Sequence, residues 1–255
     1  MMEYKRNPGC ECSSFVDLNT VDAEHRIDTT KYWLNGNIYE NGRARECTCH
    51  KKWRLGGRYD SLAKQYNLPT HDELVEMKFL GDNSNFQKLK SLPKIVKEHR
   101  LTNVLGFIHG PAGCQKTTSI AKLLYGLVLD GYTVGYTTYS DLVDKLVAKE
   151  DISELVSADW LIIDDTFEGG TITVKTSYNL FYNLILKRAK PTILCTDLSE
   201  AEIRGSTNMP FYNQTMLNKL FTKVQKYKVD LLFDQDVGKL QLTNGTSGTI
   251  DIWSL

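Results

Sequence analysis

One segment of this 255-residue chain constrains its fold more than any other. It joins a short apolar run, NVLGFIHG (103–110), to the loop GPAGCQKTT (110–118) and then to SIAKLLYGLVLDG (119–131), whose apolar residues recur at helical spacing. A buried strand, a glycine-containing loop that ends in Lys-Thr, and a helix, in that order, are the context of a phosphate-binding P-loop. The sequence therefore predicts an α/β protein with a nucleotide site in this segment.

The predicted loop carries the groups that hold a polyphosphate. Gly110 and Gly113 let the backbone wrap the phosphates, while amide N–H groups and the helix N-terminus supply partial positive charge. We expect Lys116 to reach the β- and γ-phosphates of ATP and the Thr117 hydroxyl to bind Mg²⁺. Gln115 stands where such loops usually have glycine, which keeps the amide but changes the loop. The predicted nucleotide-binding residues are Gly110, Pro111, Ala112, Gly113, Cys114, Gln115, Lys116, Thr117 and Thr118.

Two later apolar runs end in acidic residues. DWLIIDDTF (159–167) predicts a strand that ends at Asp164 and Asp165, and PTILCT (191–196) predicts a strand followed by Asp197. We expect Asp164 to hold Mg²⁺ through water, Asp165 to polarise the attacking water, and Asp197 to orient water or sense the γ-phosphate. The second carboxylate favours hydrolysis, since a small-molecule kinase uses its substrate as the nucleophile.

The strand pattern predicts a five-stranded parallel sheet with helices on both faces. The strands are expected at 103–109, 132–138, 159–164, 191–196 and about 228–233. Right-handed crossovers would bring the phosphate loop, Asp165 and Asp197 to one edge of this sheet.

Four of the six cysteines form two Cys-x-Cys pairs, Cys10 with Cys12 and Cys47 with Cys49. The polar start of the chain predicts no export leader, which favours free thiols over disulfides. Two such pairs brought together suit a tetrahedral zinc site, and zinc would stabilise a module too small for a large core. His50, directly after the second pair, is an alternative ligand.

The stretch between the cysteine pairs predicts a hairpin, because polar and apolar residues alternate and Asn-Gly occurs at 35–36 and 41–42. A basic segment follows, with six basic residues and one acidic residue from Arg43 to Arg58 and Trp53 among them. It could contact a nucleic acid, form a solvated helix face, or dock on a protein partner. We divide the chain into a zinc-binding, partner-binding N-terminal module (1–65), a linker (66–95) and an ATPase domain (96–255).

Composition excludes several classes of protein. The chain has 31 basic and 31 acidic residues and is 41% hydrophobic, which does not fit a disordered chain or a uniformly basic nucleic-acid coat. Because it has no apolar run of about 18 residues, we expect a cytoplasmic protein without a membrane partner. The charge is uneven: basic residues cluster at 86–100 and 219–228, where they could contact single-stranded DNA, and acidic residues at 151–170.

In order and spacing, GFIHGPAGCQKTTSIAKLL, GYTVGYTTYSDLVDKL, DWLIIDDTF and PTILCTDLSEAEI resemble the AAA+ core of the DnaC/DnaI helicase loaders and the related IstB transposition ATPases. The resemblance covers roughly residues 90–235. It implies that Lys116 and Thr117 belong to a Walker A motif, Asp164 and Asp165 to a Walker B motif, and that Asp197 is sensor 1.

Two positions depart from this family. Sensor 1 is commonly asparagine, where this chain has Asp197. The family's arginine finger corresponds to a segment, 213–228, without arginine, so Lys219 or Lys223 would have to substitute, and Lys219 is the candidate catalytic residue. Lysine lacks the planar fork of arginine, so activation of a neighbouring subunit's ATP would be weak or absent.

The resemblance implies an ATPase, using ATP and Mg²⁺, that assembles as a homo-oligomer on single-stranded DNA and delivers a replicative ring helicase during replication initiation. The four-cysteine module resembles, in architecture alone, the zinc-binding domain with which DnaI-type loaders grip the helicase. Three alternatives remain open: an IstB-like transposition helper, a nucleotide-binding adaptor with weak or no hydrolysis, and a P-loop small-molecule kinase.

Overall fold

The computed structural model describes residues 9–18, 31–77, 84–102, 104–167, 175–205 and 228–232. The chain forms two compact units, Met1–Ser61 and Leu62–Leu255. Each unit has its own sheet.

The first unit is built around a small four-stranded sheet. Its elements are a 3₁₀ helix (Glu11–Ser14), β1 (Val16–Asp17), β2 (Lys31–Leu34), β3 (Asn37–Glu40) and β4 (Arg43–Glu46), followed by helix α1 (Thr48–Gln65), whose last four residues belong to the second unit. The strands lie in chain order; β1 pairs parallel with β2, and the other pairs are antiparallel.

Two Asn-Gly turns fix the register of this sheet. Asn35 and Gly36 have φ of 47° and 83°, and Asn41 and Gly42 have φ of 51° and 75°. Two consecutive residues with positive φ are what a two-residue hairpin of type I′ requires. The predicted hairpin is therefore confirmed, and the second turn extends it to a three-stranded meander.

The second unit alternates helices and strands. Its elements are α2 (His71–Glu76), α3 (Ser84–Glu98), β5 (Leu105–His109), α4 (Lys116–Leu129), β6 (Val134–Thr138), α5 (Tyr139–Ala148), α6 (Ser153–Ser157), β7 (Trp160–Asp164), α7 (Lys175–Lys187), β8 (Thr192–Thr196), α8 (Glu200–Gly205) and β9 (Lys228–Leu232). The strands form one sheet in the order β6-β7-β8-β5-β9, and every neighbouring pair is parallel. The predicted five-stranded parallel sheet is confirmed.

Both faces of the sheet are buried. Phe107 on β5, Ile163 on β7 and Leu194 on β8 belong to an apolar cluster with residues of α5 and α7. Because side chains alternate along a strand, Ile108 and Ile162 point to the opposite face, where they are fully buried as well. Strands covered on both faces read as near-continuous apolar runs, which is why the sequence located them.

The carboxyl ends of β5, β7 and β8 meet at one edge of the sheet, since the strands are parallel neighbours. The phosphate loop follows β5, Asp165 follows β7, and Asp197 follows β8. In the part of the chain that the structure describes, no helix is both long enough and apolar enough to cross a membrane.

Candidate functional site

The loop between β5 and α4 has a backbone suited to wrapping a ligand. Gly110 and Gly113 have φ of 152° and 82°, and Gln115 has φ of 67°. Pro111, Ala112 and Gly113 are exposed, so the loop is open to solvent. Helix α4 begins at Lys116, directly after the loop, and its free N–H groups face the loop.

Lys116 is held on the inner side of the loop. Its Nζ donates to the carbonyl oxygens of Gly110 at 2.7 Å and Pro111 at 3.0 Å, and it forms an ion pair with Asp197. Burial is the largest single effect and favours the neutral amine, but the hydrogen bond to Asp197 and the nearby negative charges together outweigh it and raise the pKa of Lys116. The structure thus brings two predicted site residues, Lys116 and Asp197, into direct contact.

Asp164 is the most enclosed acidic group of the site, with 4% of its surface exposed. Its Oδ2 accepts a hydrogen bond from the Tyr136 hydroxyl at 2.7 Å, and its Oδ1 accepts one from the Asp165 backbone N–H at 3.0 Å. Tyr136 is not among the site residues predicted from the sequence. Tyr136 lies in β6, the strand that pairs with β7, and β7 ends at Asp164. The sequence could indicate this contact only if the strand order were already known.

Asp165 differs from Asp164 in its surroundings. It is exposed, and its φ of 52° turns the chain sharply after β7. Although Asp165 reaches solvent, nearby protein atoms partly desolvate its carboxyl; this desolvation, and then the negative charges of Asp164 and Asp197, raise the pKa of Asp165. A carboxylate with a raised pKa is a better proton acceptor than an ordinary one, which fits the predicted role of polarising water.

The remaining predicted loop residues fall at the start of α4. Thr117 is exposed in its first turn and Thr118 is half-buried. Cys114 is half-buried with its Sγ 3.7 Å from Lys116 Nζ, and burial raises the pKa of this thiol. Cys195 is buried beside Asp164, and burial raises the pKa of its thiol well above the usual value. Both thiols are therefore protonated near neutral pH.

The two cysteine pairs meet in the first unit. The Sγ atoms of Cys10, Cys12, Cys47 and Cys49 all lie within 4.8 Å of one another. Three of the distances are 3.3 Å (Cys10 to Cys47), 3.4 Å (Cys12 to Cys49) and 3.1 Å (Cys47 to Cys49). A tetrahedral site with Zn–S bonds of about 2.3 Å separates its sulfurs by about 3.8 Å, so the cluster fits zinc. His50 is not part of it; its Nδ1 lies 3.1 Å from Glu46 Oε1.

The basic segment that follows is less cationic than its sequence indicates. Arg45 pairs through both terminal nitrogens with Glu11, and Arg54 pairs in the same two-bond manner with Glu46. Trp53 is 39% exposed. The exposed residues Arg43, Lys51, Lys52 and Arg58 form no ion pair within the described part of the chain.

Other predicted residues lie outside the described residues. Lys219 and the segment 213–227 belong to them, as does the C-terminal stretch from 233 onward. The candidate for the arginine-finger role therefore stays a prediction.

Comparison with known proteins finds resemblance at the level of solved structures. No family model matches the chain, and no curated protein matches it. Similar solved structures include a DNA replication initiation factor (19% identity, TM-score 0.46, 66% of this chain and 51% of that one). They also include DnaI (11% identity, TM-score 0.48, 65% and 89%) and the DnaC helicase loader (15% identity, TM-score 0.40, 61% and 93%).

Two of these three structures bear the names of the loaders that the sequence motifs resemble. The chain spans about half the length of the replication initiation factor. Because the identities and TM-scores are this low, we base the function proposed below on the site residues.

Proposed function

We propose that this chain is an ATPase that loads a replicative ring helicase onto single-stranded DNA during replication initiation. The observation that carries the proposal is the edge of the sheet where Lys116, Asp164 and Asp197 converge after β5, β7 and β8. A lysine at the start of a helix, an open glycine-containing loop and a carboxylate on the next strand but one are the parts that bind a magnesium nucleotide.

Each residue would then have one task. The loop amides and the N-terminus of α4 would bind the phosphates. Lys116 would break its ion pair with Asp197 and contact the phosphates instead. Thr117 and Asp164 would hold Mg²⁺, which neutralises charge that develops on the phosphates. Asp165 would accept a hydrogen bond from the attacking water, and Asp197, once released, would orient that water.

Contact with single-stranded DNA is supported by exposed cations. On α3, the side chains of Lys90, Lys94 and Lys97 are exposed. Lys94 Nζ forms a long ion pair with Glu98 Oε1, at 3.8 Å. Surface ion pairs of this kind are weak, so Lys94 remains able to contact phosphate. We assign the helicase contact to the first unit, where four cysteines would bind a structural zinc ion and where Trp53 is exposed beside basic residues.

A second candidate function is a nucleotide-binding adaptor with weak or no hydrolysis. The ion pair of Lys116 with Asp197 favours it, because a phosphate must compete with a carboxylate for the same ammonium group. Gln115 in a left-handed conformation and the lack of arginine in 213–228 favour it as well.

One set of measurements distinguishes the two. Binding of a fluorescent ATP analogue and release of phosphate would be measured for the full chain, with and without single-stranded DNA. We expect DNA to stimulate turnover, and we expect Lys116→Ala to abolish nucleotide binding and helicase loading while zinc content is kept. Lys190→Ala, which breaks another Lys–Asp pair, is the matched control.

Each result has a definite consequence. Binding without turnover under every condition would leave the adaptor. Unchanged helicase loading by Lys116→Ala would refute the ATP-dependent mechanism, and absence of nucleotide binding in the unaltered chain would refute both functions.

A further inference from the structure

Tyr136 lies in the middle of β6, an edge strand of the large sheet, yet it is 3% exposed. In the strand register Tyr136 faces Ile162, and Thr138 faces Asp164. Residues two apart on a strand share a face, so Tyr136 and Asp164 are diagonal neighbours on the same face. The tyrosine side chain spans this diagonal, and its hydroxyl reaches Asp164 Oδ2 at 2.7 Å in a buried environment.

The contact fixes how the carboxylate of Asp164 is oriented. Its other oxygen accepts the Asp165 backbone N–H at 3.0 Å, and the buried Cys195 thiol also hydrogen-bonds the Asp164 carboxylate. A carboxylate can accept about four hydrogen bonds, so these three donors leave room for a water molecule from the shell of a metal ion. Without the hydroxyl, a nearly buried carboxylate would lose a partner and could rotate away from its position.

The ring of Tyr136 is itself held in place. The ring of Tyr66 packs against it edge-on, with the centroids 5.0 Å apart and the planes at 71°. An edge-on contact between aromatic rings is favourable and directional. The hydroxyl therefore points at Asp164 from a supported ring.

We propose that Tyr136 is a positioning residue that holds the Asp164 carboxylate in the orientation needed to bind, through water, the Mg²⁺ of a bound nucleotide. This inference rests on the proposed nucleotide function. Tyr136 does not touch the nucleotide; it acts through Asp164. Its hydroxyl orients the Asp164 carboxylate for Mg²⁺, and its ring packs against Tyr66.

The substitution Tyr136→Phe separates these two parts, because it removes the hydroxyl and keeps the ring. Binding of a fluorescent ATP analogue to the full chain would be titrated with Mg²⁺, and again in EDTA. We expect Tyr136→Phe to raise the Mg²⁺ concentration for half-maximal binding about tenfold, as loss of one hydrogen bond to a charged group implies. Binding in EDTA should not change. Tyr182→Phe, which removes a hydroxyl from a buried tyrosine in the α5–α7 cluster, is the matched control and should behave like the unaltered chain.

A double-mutant cycle with Asp164→Asn tests the route of the effect. We expect the Mg²⁺ shift caused by Tyr136→Phe to disappear in the Asp164→Asn background. An equal shift in both backgrounds would overturn the proposal.

The remaining outcomes are also decisive. An unchanged Mg²⁺ midpoint, with or without a lower unfolding temperature, would make Tyr136 a packing residue and overturn the inference while the nucleotide function stands. If the unaltered chain and Lys116→Ala both fail to bind the analogue, the proposed function fails, and the inference fails with it.

Discussion

Lys116 in the phosphate loop and Asp197 after β8 form an ion pair across 81 positions of sequence. The lysine side chain is 9% exposed and the aspartate side chain 38% exposed, so the pair lies at the border between interior and solvent. The lysine also donates to two loop carbonyls. To bind Lys116, a phosphate must therefore displace the carboxylate of Asp197, which is negatively charged like the phosphate.

We expect Asp197→Asn to increase affinity for ATP about tenfold. The substitution keeps a hydrogen-bonding side chain but removes the negative charge that competes for Lys116 and repels the phosphates. Titration with a fluorescent ATP analogue would measure the change. Asp159→Asn is the control, because Asp159 also pairs with a lysine and is similarly exposed. Equal or weaker binding by Asp197→Asn would show that the pair does not limit nucleotide binding.

We expect Gln115→Gly to stabilise the protein by about 0.5 to 1 kcal/mol. Gln115 has φ of 67°, a left-handed conformation that costs a residue with a Cβ about 1–2 kcal/mol. Glycine removes this strain, but its greater conformational entropy in the unfolded chain offsets part of the stabilisation. Urea unfolding would measure the difference. Gly113→Ala is the converse control: a Cβ there meets nothing within 4 Å, so its φ of 82° alone should destabilise the fold by about 1 kcal/mol. Destabilisation by Gln115→Gly would instead show that the glutamine side chain contributes contacts of its own.

Features with a local signature were predictable from sequence. Strands β5, β7 and β8 of the large sheet appear in the sequence as apolar runs because both of their faces are covered, and Asn-Gly pairs mark the turns of the small sheet. The convergence of the loop with Asp164 and Asp197 follows from parallel strand order. Spacing alone also predicted that the cysteine pairs would meet.

Contacts between side chains that are far apart in sequence were not predictable. The hydroxyl of Tyr136 meets Asp164 across 28 positions, and Arg45 meets Glu11 across 34. Such contacts depend on strand order and register, which leave no periodic trace in the sequence. For the same reason, counting charges from Arg43 to Arg58 overstated the free positive charge of that surface.

We expect the purified chain to contain one zinc ion and Cys47→Ser to lose it. Cys47 is fully buried within the four-sulfur cluster, so serine there would remove one of the four thiolate ligands, and among the described residues no other zinc ligand has space to take its place. Elemental analysis of the purified proteins would measure zinc content. Cys114→Ser, outside the cluster, should keep its zinc. A metal-free chain whose four cysteines are instead oxidised in pairs would contradict the assignment.

We expect Arg188→Met to destabilise the second unit by about 3 kcal/mol. Arg188 is 5% exposed, and its guanidinium donates to Thr192 Oγ1 at 3.1 Å and to the carbonyls of Val156 and Ala158. Burial lowers its pKa to about 10, so it stays charged at pH 7. Methionine fills similar space but leaves these acceptors without their donor. Urea unfolding would measure the loss, and Lys187→Met, at an exposed neighbouring position, should change stability little. A small effect at Arg188 would mean that water replaces the guanidinium.

We expect the stabilising effect of Asp159 to depend on pH in a defined window. The backbone N–H and hydroxyl of Thr133, at 3.0 and 2.8 Å, together with Lys190, lower the pKa of Asp159 to about 2. Since the pKa is lower in the folded chain than the value of about 3.9 in an unfolded one, the contribution is complete above about pH 4 and is lost as pH falls towards 2. Because the side chain is 41% exposed, solvent screening reduces this contribution to about 1 kcal/mol.

The free energies of unfolding in urea of the unaltered chain and of Asp159→Asn should differ by that amount at pH 7 and progressively less below pH 4. Asp144→Asn, at an exposed position of α5, controls for the loss of one negative charge, and a difference for Asp159→Asn that stays constant down to pH 2 would show that the carboxylate is not the source of the stability.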